Sequence, residues 1–172
     1  MHCMHDLETF DTKPNSLIWQ IGAVAFDKYG IHREFHSVIK IDDAMMRDFS
    51  ISASTFNWWL SQSEAIKVMT NAHQSLDDAL YGFAEFYNSS CGDELWGNGS
   101  DFDNVILANA YKVRGLNPPW NYGLNRCFRT IKAVHPKVDV PFVGVKHNAL
   151  ADARHQAEYL IRLNESFSLN IL

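Results

Sequence analysis

Three short stretches hold acidic residues at spacings that could let them act together. The first is Asp6-Leu7-Glu8, which follows the apolar residues of the N-terminal segment. On an extended strand, residues i and i+2 point to the same face, so both carboxylates would project together. Like charges that close repel, so either one is neutralised by a proton or a cation sits between them. The second stretch is Trp96-Gly97-Asn98-Gly99-Ser100-Asp101-Phe102-Asp103-Asn104. Here an apolar pair stops at glycines that permit close backbone approach, and Asp103 falls about one turn into the following helix. The third is His147-Asn148-Ala149-Leu150-Ala151-Asp152, a histidine just before a helix and an aspartate on its inner face. Ala149, Ala153 and Ala157 leave room for tight packing there. Each stretch also has a plainer reading. Asp6 and Glu8 could end an edge strand in solvent, Asp101 and Asp103 could complement a helix dipole, and His147 could simply flank a helix.

The surrounding pattern supplies elements that could carry these residues. His2–Glu8 reads as a short strand, and a turn over Asp11–Asn15 leads into Leu17–Phe26, rich in β-branched and aromatic residues. Asp27–Gly30 is a tight turn into a third strand, Ile31–Ile41. The character then becomes helical. Ser54 is expected to cap TFNWWLSQ, and Ser63 with Glu64 to open a second short helix. Leu76, Leu80, Phe83 and Phe86 form one apolar face over Ser75–Tyr87. Leu95–Trp96 reads as a short buried strand. Ser100 or Asp101 then caps a helix over Phe102–Arg114, Arg126–Val134 is a short helix, and Asn148–Leu163 a long closing one. Strands followed by helices with one late strand predict an α/β or α+β chain with a mixed sheet.

The 172 residues are 47% hydrophobic and 20% charged, which excludes a disordered chain and predicts a single domain over 1–172. Cys3, Cys91 and Cys127 are widely spaced without a CxxC pair, so neither a disulfide framework nor a thiolate zinc site is expected. The N-terminus shows no signal peptide, no apolar run approaches the roughly 20 residues of a membrane span, and a reducing cytoplasm fits best. The net charge of −5 argues against holding nucleic acid by bulk charge alone. That charge is unevenly spread: residues 1–111 carry a net of −10 and residues 112–154 a net of +6. One part could hold cations while another receives an anion, although two ordinary solvated faces would give the same count.

DxE, then an aspartate after phenylalanine beyond a glycine turn, then HxxxxD, in that order, resembles the DEDDh branch of the 3′-to-5′ exonuclease superfamily. That superfamily contains the polymerase proofreading exonucleases, ribonuclease T and oligoribonuclease. The segments MHCMHDLETFDTKPNSLIWQIGAVAFD, TFNWWLSQ, LWGNGSDFDNVIL, RCFRTI and HNALADARHQA look more narrowly like the compact exoribonuclease group of mycobacteria and many phages, related to the nuclease part of exonuclease VIII. The resemblance runs from Asp6 to Asp152 with the flanking strand and helix. One departure is His5, where the group usually has an apolar residue. Alternation puts His5 opposite Asp6 and Glu8, as a packed histidine rather than a fifth ligand.

The resemblance implies an RNase H-like α/β fold, a five-stranded mixed sheet with three leading antiparallel strands and helices on both faces. It implies a metal-dependent 3′-5′ exonuclease acting on single-stranded 3′ ends of RNA or DNA and releasing nucleoside 5′-monophosphates. Asp6, Glu8, Asp103 and Asp152 match the acidic ligands of two Mg²⁺ or Mn²⁺ ions, and His147 matches the general base. The chemistry is coherent: two such ions about 3.5–4 Å apart activate water and stabilise the leaving oxygen. Hard divalent ions want the oxygen ligands that carboxylates supply, and a histidine neutral near pH 7 can accept the water's proton.

By analogy, Leu7, Thr9 and Phe10 could line the pocket of the 3′-terminal nucleotide. Trp58 and Trp59 are about 100° apart on a helix, so Trp59 could stack on a base, with core packing for both as the alternative. Arg126 and Arg129, three apart, could grip phosphate from one helix face. Dimerisation is common in the resembling group, and a homodimer would explain the 13% of aromatics. The rival reading is a non-catalytic module that binds single-stranded nucleic acid on the same fold.

Overall fold

The computed structural model describes residues 1–172, and its sheet starts as an antiparallel meander of β1 (His2–Thr9), β2 (Ile18–Asp27) and β3 (Gly30–Val38). Four helices follow: α1 (Asp43–Asp48), α2 (Ala53–Leu60), α3 (Ser63–Thr70) and α4 (Leu76–Ser90). The chain then returns as β4 (Leu95–Gly97), makes a π-helical turn over Ser100–Asn104, and continues into α5 (Val105–Val113). β5 (Asn125–Cys127), α6 (Phe128–Val134) and α7 (Ala149–Phe167) complete the order. β4 lies parallel to β1, and β5 parallel to β4, giving the sheet order β3-β2-β1-β4-β5. This is the expected five-stranded mixed sheet of an RNase H-like α/β fold.

β1 sits at the centre, and alternation along it divides the molecule. Cys3 and Leu7 pack into the larger core with Ile21, Ala23, Leu80, Phe83 and Tyr111, on the side of α4 and α5. Met4 joins the opposite core with Val24, Trp96, Phe128, Ala157 and Leu160, on the side of α6 and α7. Asp6 and Glu8 share the parity of Met4 and so face α7. His5 faces the other way, fully buried near the Phe83 ring. Its Nδ1 lies 3.0 Å from the Trp96 carbonyl oxygen, and burial lowers its pKa to about 4. His5 is therefore a neutral core residue, as alternation predicts.

Several local expectations shift. Ser52, not Ser54, caps α2: its Oγ accepts the Thr55 N–H at 3.1 Å. Neither Ser100 nor Asp101 caps a helix, because the chain leaves β4 through the wide π-helical turn before α5 begins. Arg126 belongs to β5 rather than to a helix, since it pairs in register with Trp96. α1, only six residues long, is too short to show a helical period in the sequence. Asp42 caps it, accepting the Met45 N–H at 2.8 Å.

α7 comes close to the sheet at one glycine. A Cβ on Gly22 would stand 2.1 Å from the carbonyl carbon of Ala149, a backbone atom with no freedom to yield. Two residues before Gly22, the Gln20 carboxamide oxygen accepts the Ala149 N–H at 3.3 Å. Asn148 caps the helix, its side chain accepting the Ala151 N–H at 3.1 Å. A Gly22→Ala substitution should therefore destabilise the protein by about 3 kcal/mol or more, at the upper end of overpacking costs. Urea unfolding of the two proteins side by side measures this. A loss under about 1 kcal/mol would show that α7 is free to move away.

Candidate active site

The site forms where the C-terminal end of β1 meets α7 and the turn after β4. Asp6 and Glu8 are buried. Asp152, on the first turn of α7, is partly buried against them. One carboxylate oxygen from each of Asp6, Glu8 and Asp152 lies within 4.8 Å of the other two. Asp103 is also buried, but its carboxylate turns toward its own loop, where its Oδ2 accepts the Gly99 N–H at 3.0 Å. Its charge still raises the pKa of both Asp6 and Glu8, so it belongs to the same electrostatic unit. Gly97 makes this placement possible, because a Cβ there would lie 2.9 Å from the Asp103 Cβ and 2.3 Å from the Asn104 side-chain oxygen.

Burial is the largest influence on all four acids. It pushes Asp6 well above the ordinary carboxylate range, and the charges of Asp103, Glu8 and Asp152 push further. Glu8 rises to about 8 through burial, then through Asp152 and Asp103. Asp103 rises only to about 6, because the Gly99 and Leu7 N–H groups and the Arg129 charge oppose its burial. Burial also raises Asp152, against His147 and His155. No lysine or arginine forms a salt bridge with any of the four. Gathered anionic oxygens with no protein cation beside them are a donor set for hard divalent cations. The residues present fit such ions.

His147 precedes α7 in a left-handed backbone conformation, φ 62°, with its side chain exposed. It stands beside Asp152, whose pKa it helps to hold down. Leu7 and Thr9 line a cleft of about 170 Å³ with Glu8, Asp11, Thr12, Thr55, Trp58, Trp59 and Phe102. Phe10 lies outside that cleft, buried against Trp19 and Phe56. Its side chain is core. The tryptophan pair divides: Trp59 is buried, edge-on to Trp19, and its Nε1–H donates to the Thr9 carbonyl at 2.8 Å. Trp59 reaches the cleft only by its edge, whereas Trp58 is 41% exposed.

The two arginines do not share a helix face. Arg126, in β5, pairs with Glu94 at 2.6 Å and donates to the Gly123 carbonyl, at the end of the sheet away from the acids. Arg129, on α6, is exposed and packs over the Gly99 turn beside Asp103. Strand pairing with Trp96 separates them, so only Arg129 belongs to the rim of the site.

Two contributors escaped the sequence reading. Gln156, one turn beyond Asp152, donates from Nε2 to Asp6 Oδ1 at 2.8 Å and fixes that carboxylate. Its i+4 spacing from Asp152 was the available signal. Gln20, paired across from Glu8, holds the start of α7 and gave no signal of its own.

Solved structures share this fold. Pop2p of S. pombe, in its Mg²⁺- and Mn²⁺-bound form, superposes with a TM-score of 0.61 at 14% identity over 97% of this chain and 84% of that one. Product-bound exonuclease I gives 0.66 at 13% identity, this chain covering 96% of its own length but only 44% of that enzyme's. Exonuclease X in complex with 5′-overhanging duplex DNA gives 0.58 at 16% over 99% and 95%. No curated protein matches the sequence. Fold and sequence order together define a 3′-5′ exonuclease of the RNase H-like, DEDDh type, a hydrolase rather than a non-catalytic binding module. Residues 1–163 match the Rv2179c-like 3′-5′ exoribonuclease domain, and the chain belongs to that family. No helix is long and apolar enough to cross a membrane.

The raised acids predict a pH-dependent stability. Below about pH 4.5 they are protonated folded and unfolded alike. As pH rises toward 8 the unfolded chain ionises them first, so without metal stability falls through that window. Thermal melts from pH 5 to 8.5 should decline in EDTA, recover with Mn²⁺, and decline less for Glu8→Gln. Identical slopes for wild type and Glu8→Gln would show that Glu8 carries no such strain.

Proposed function

We propose that the protein removes nucleotides one at a time from the single-stranded 3′ end of RNA, releasing nucleoside 5′-monophosphates. The convergence of Asp6, Glu8 and Asp152 within 4.8 Å, beside His147, carries this reading. Asp6, Glu8, Asp103 and Asp152 would hold two Mg²⁺ or Mn²⁺ ions. When bound, the ions offset the charge of the phosphate and its transition state and lower the pKa of the attacking water.

The chain's own residues do the rest. The cleft beside Glu8 takes the terminal nucleotide, with Leu7, Thr9 and Thr55 as its walls and the exposed Trp58 at its mouth. Arg129 stands on the Asp103 side, placed to meet a phosphate. The exposed His147 imidazole accepts the proton of the attacking water and can pass it to solvent. Gln156 keeps Asp6 turned toward the cluster. RNA is favoured because the family is one of exoribonuclease domains, and the ribose 2′-hydroxyl is the group that distinguishes the two polymers.

Digestion of 5′-labelled RNA and DNA strands of one sequence in Mn²⁺ tests this directly. A ladder shortening from the 3′ end is expected, faster on RNA, and slower where the 3′ end is duplexed. Asp6→Ala and Asp103→Ala should remove all shortening while the proteins remain folded by circular dichroism. Near-wild-type digestion by either variant would sink the ligand assignment, and equal rates on both polymers would sink the RNA preference.

A further inference from the structure

The proposed base has an unusual setting. His147 is a non-glycine residue at φ 62°, a sparsely populated conformation that persists only where its surroundings enforce it. The backbone is held: its N–H turns toward the Asp152 carboxylate, and the Asn148 cap of α7 follows immediately. The imidazole, by contrast, is exposed and joins no side-chain hydrogen bond or salt bridge. Its ring neighbours are two indoles. Trp58 meets it edge to face, centroids 4.9 Å apart and planes at 88°, and Trp59 lies behind at 6.3 Å.

Those indoles are themselves anchored. Trp58 packs on Trp59 at 4.6 Å, and Trp59 packs on the fully buried Trp19 at 4.9 Å. The Trp59 N–H bond to Thr9 ties the stack to the residue after Glu8. A continuous run of rings thus leads from the sheet core, past the end of β1, to the one exposed imidazole at the acids. Edge-to-face aromatic contacts are directional and worth about 0.5–1.5 kcal/mol beyond the area they bury. That is enough to bias an otherwise free side chain strongly toward one rotamer.

We propose that Trp58 is a positioning residue for His147, holding its imidazole over the acidic cluster, rather than only a platform for a substrate base. The proposal rests on His147 being the base. It assigns Trp58 an effect on turnover, where a stacking platform would act on binding.

Single-turnover and steady-state kinetics on a 5′-labelled RNA strand, with the wild type, Trp58→Ala, Trp58→Phe, His147→Ala and the Trp58→Ala/His147→Ala pair, decide it. Trp58→Ala is expected to lower kcat about tenfold, the equivalent of one such contact, with KM little changed. Trp58→Phe, which keeps a ring edge, should recover most of that loss. In the His147→Ala background, Trp58→Ala should cost nothing further, since no base remains to be positioned. Melting temperatures confirm folding, and Trp58 is exposed enough for the change to be tolerated. A raised KM with unchanged kcat, or an undiminished loss in the His147→Ala background, overturns the proposal while leaving His147 as base. Full activity in His147→Ala overturns the base assignment itself, and this proposal with it.

Discussion

Four carboxylates sit at one end of a buried central strand, and no protein cation pairs with them. Folding must bring these like charges together in a place from which water is largely excluded, which is why burial dominates every one of their pKa shifts. Divalent cations relieve that repulsion and turn it to use. The acid surplus of the N-terminal two-thirds is therefore partly the site itself, and the basic stretch that follows contributes the rim residue Arg129 and the base His147.

The architecture follows from keeping those acids close without letting them scatter. β1 supplies two of them through the parity of its side chains. α7 supplies the third, together with the Gln156 amide that orients the first, and it can do so only because Gly22 lets its first turn touch the β2 backbone. Asp103 comes from a turn wound wider than an α-helix, pressed against a strand end where Gly97 has no side chain. Glycine at both positions trades intrinsic stability for close approach.

The aromatic residues show where single-position reasoning ends. A helical spacing of 100° says that one of Trp58 and Trp59 faces inward, without saying which. The Thr9 carbonyl, exposed to a donor where β1 pairing shifts register after Glu8, decides the matter by capturing the Trp59 N–H. Arg126 and Arg129 show the reverse case, a spacing that fits a helix but falls across the join between a strand and a helix. Three residues are too few for periodicity to distinguish β5, and its partner β4 is equally short.

The sequence by itself determined the fold class, the three leading strands, the face shared by Asp6 and Glu8, the opposite placement of His5, and the order of the acidic motifs. All of these depend on local periodicity or on residues within a few positions of one another. Only the tertiary structure decided which carboxylates converge, that Asp103 is turned aside toward Gly99, that Gln156 reaches Asp6, that Phe10 is core, and that Arg129 alone stands at the site. These depend on contacts between residues as many as 150 positions apart. Such contacts are fixed by how closely two backbones approach, and no spacing along the chain records that distance.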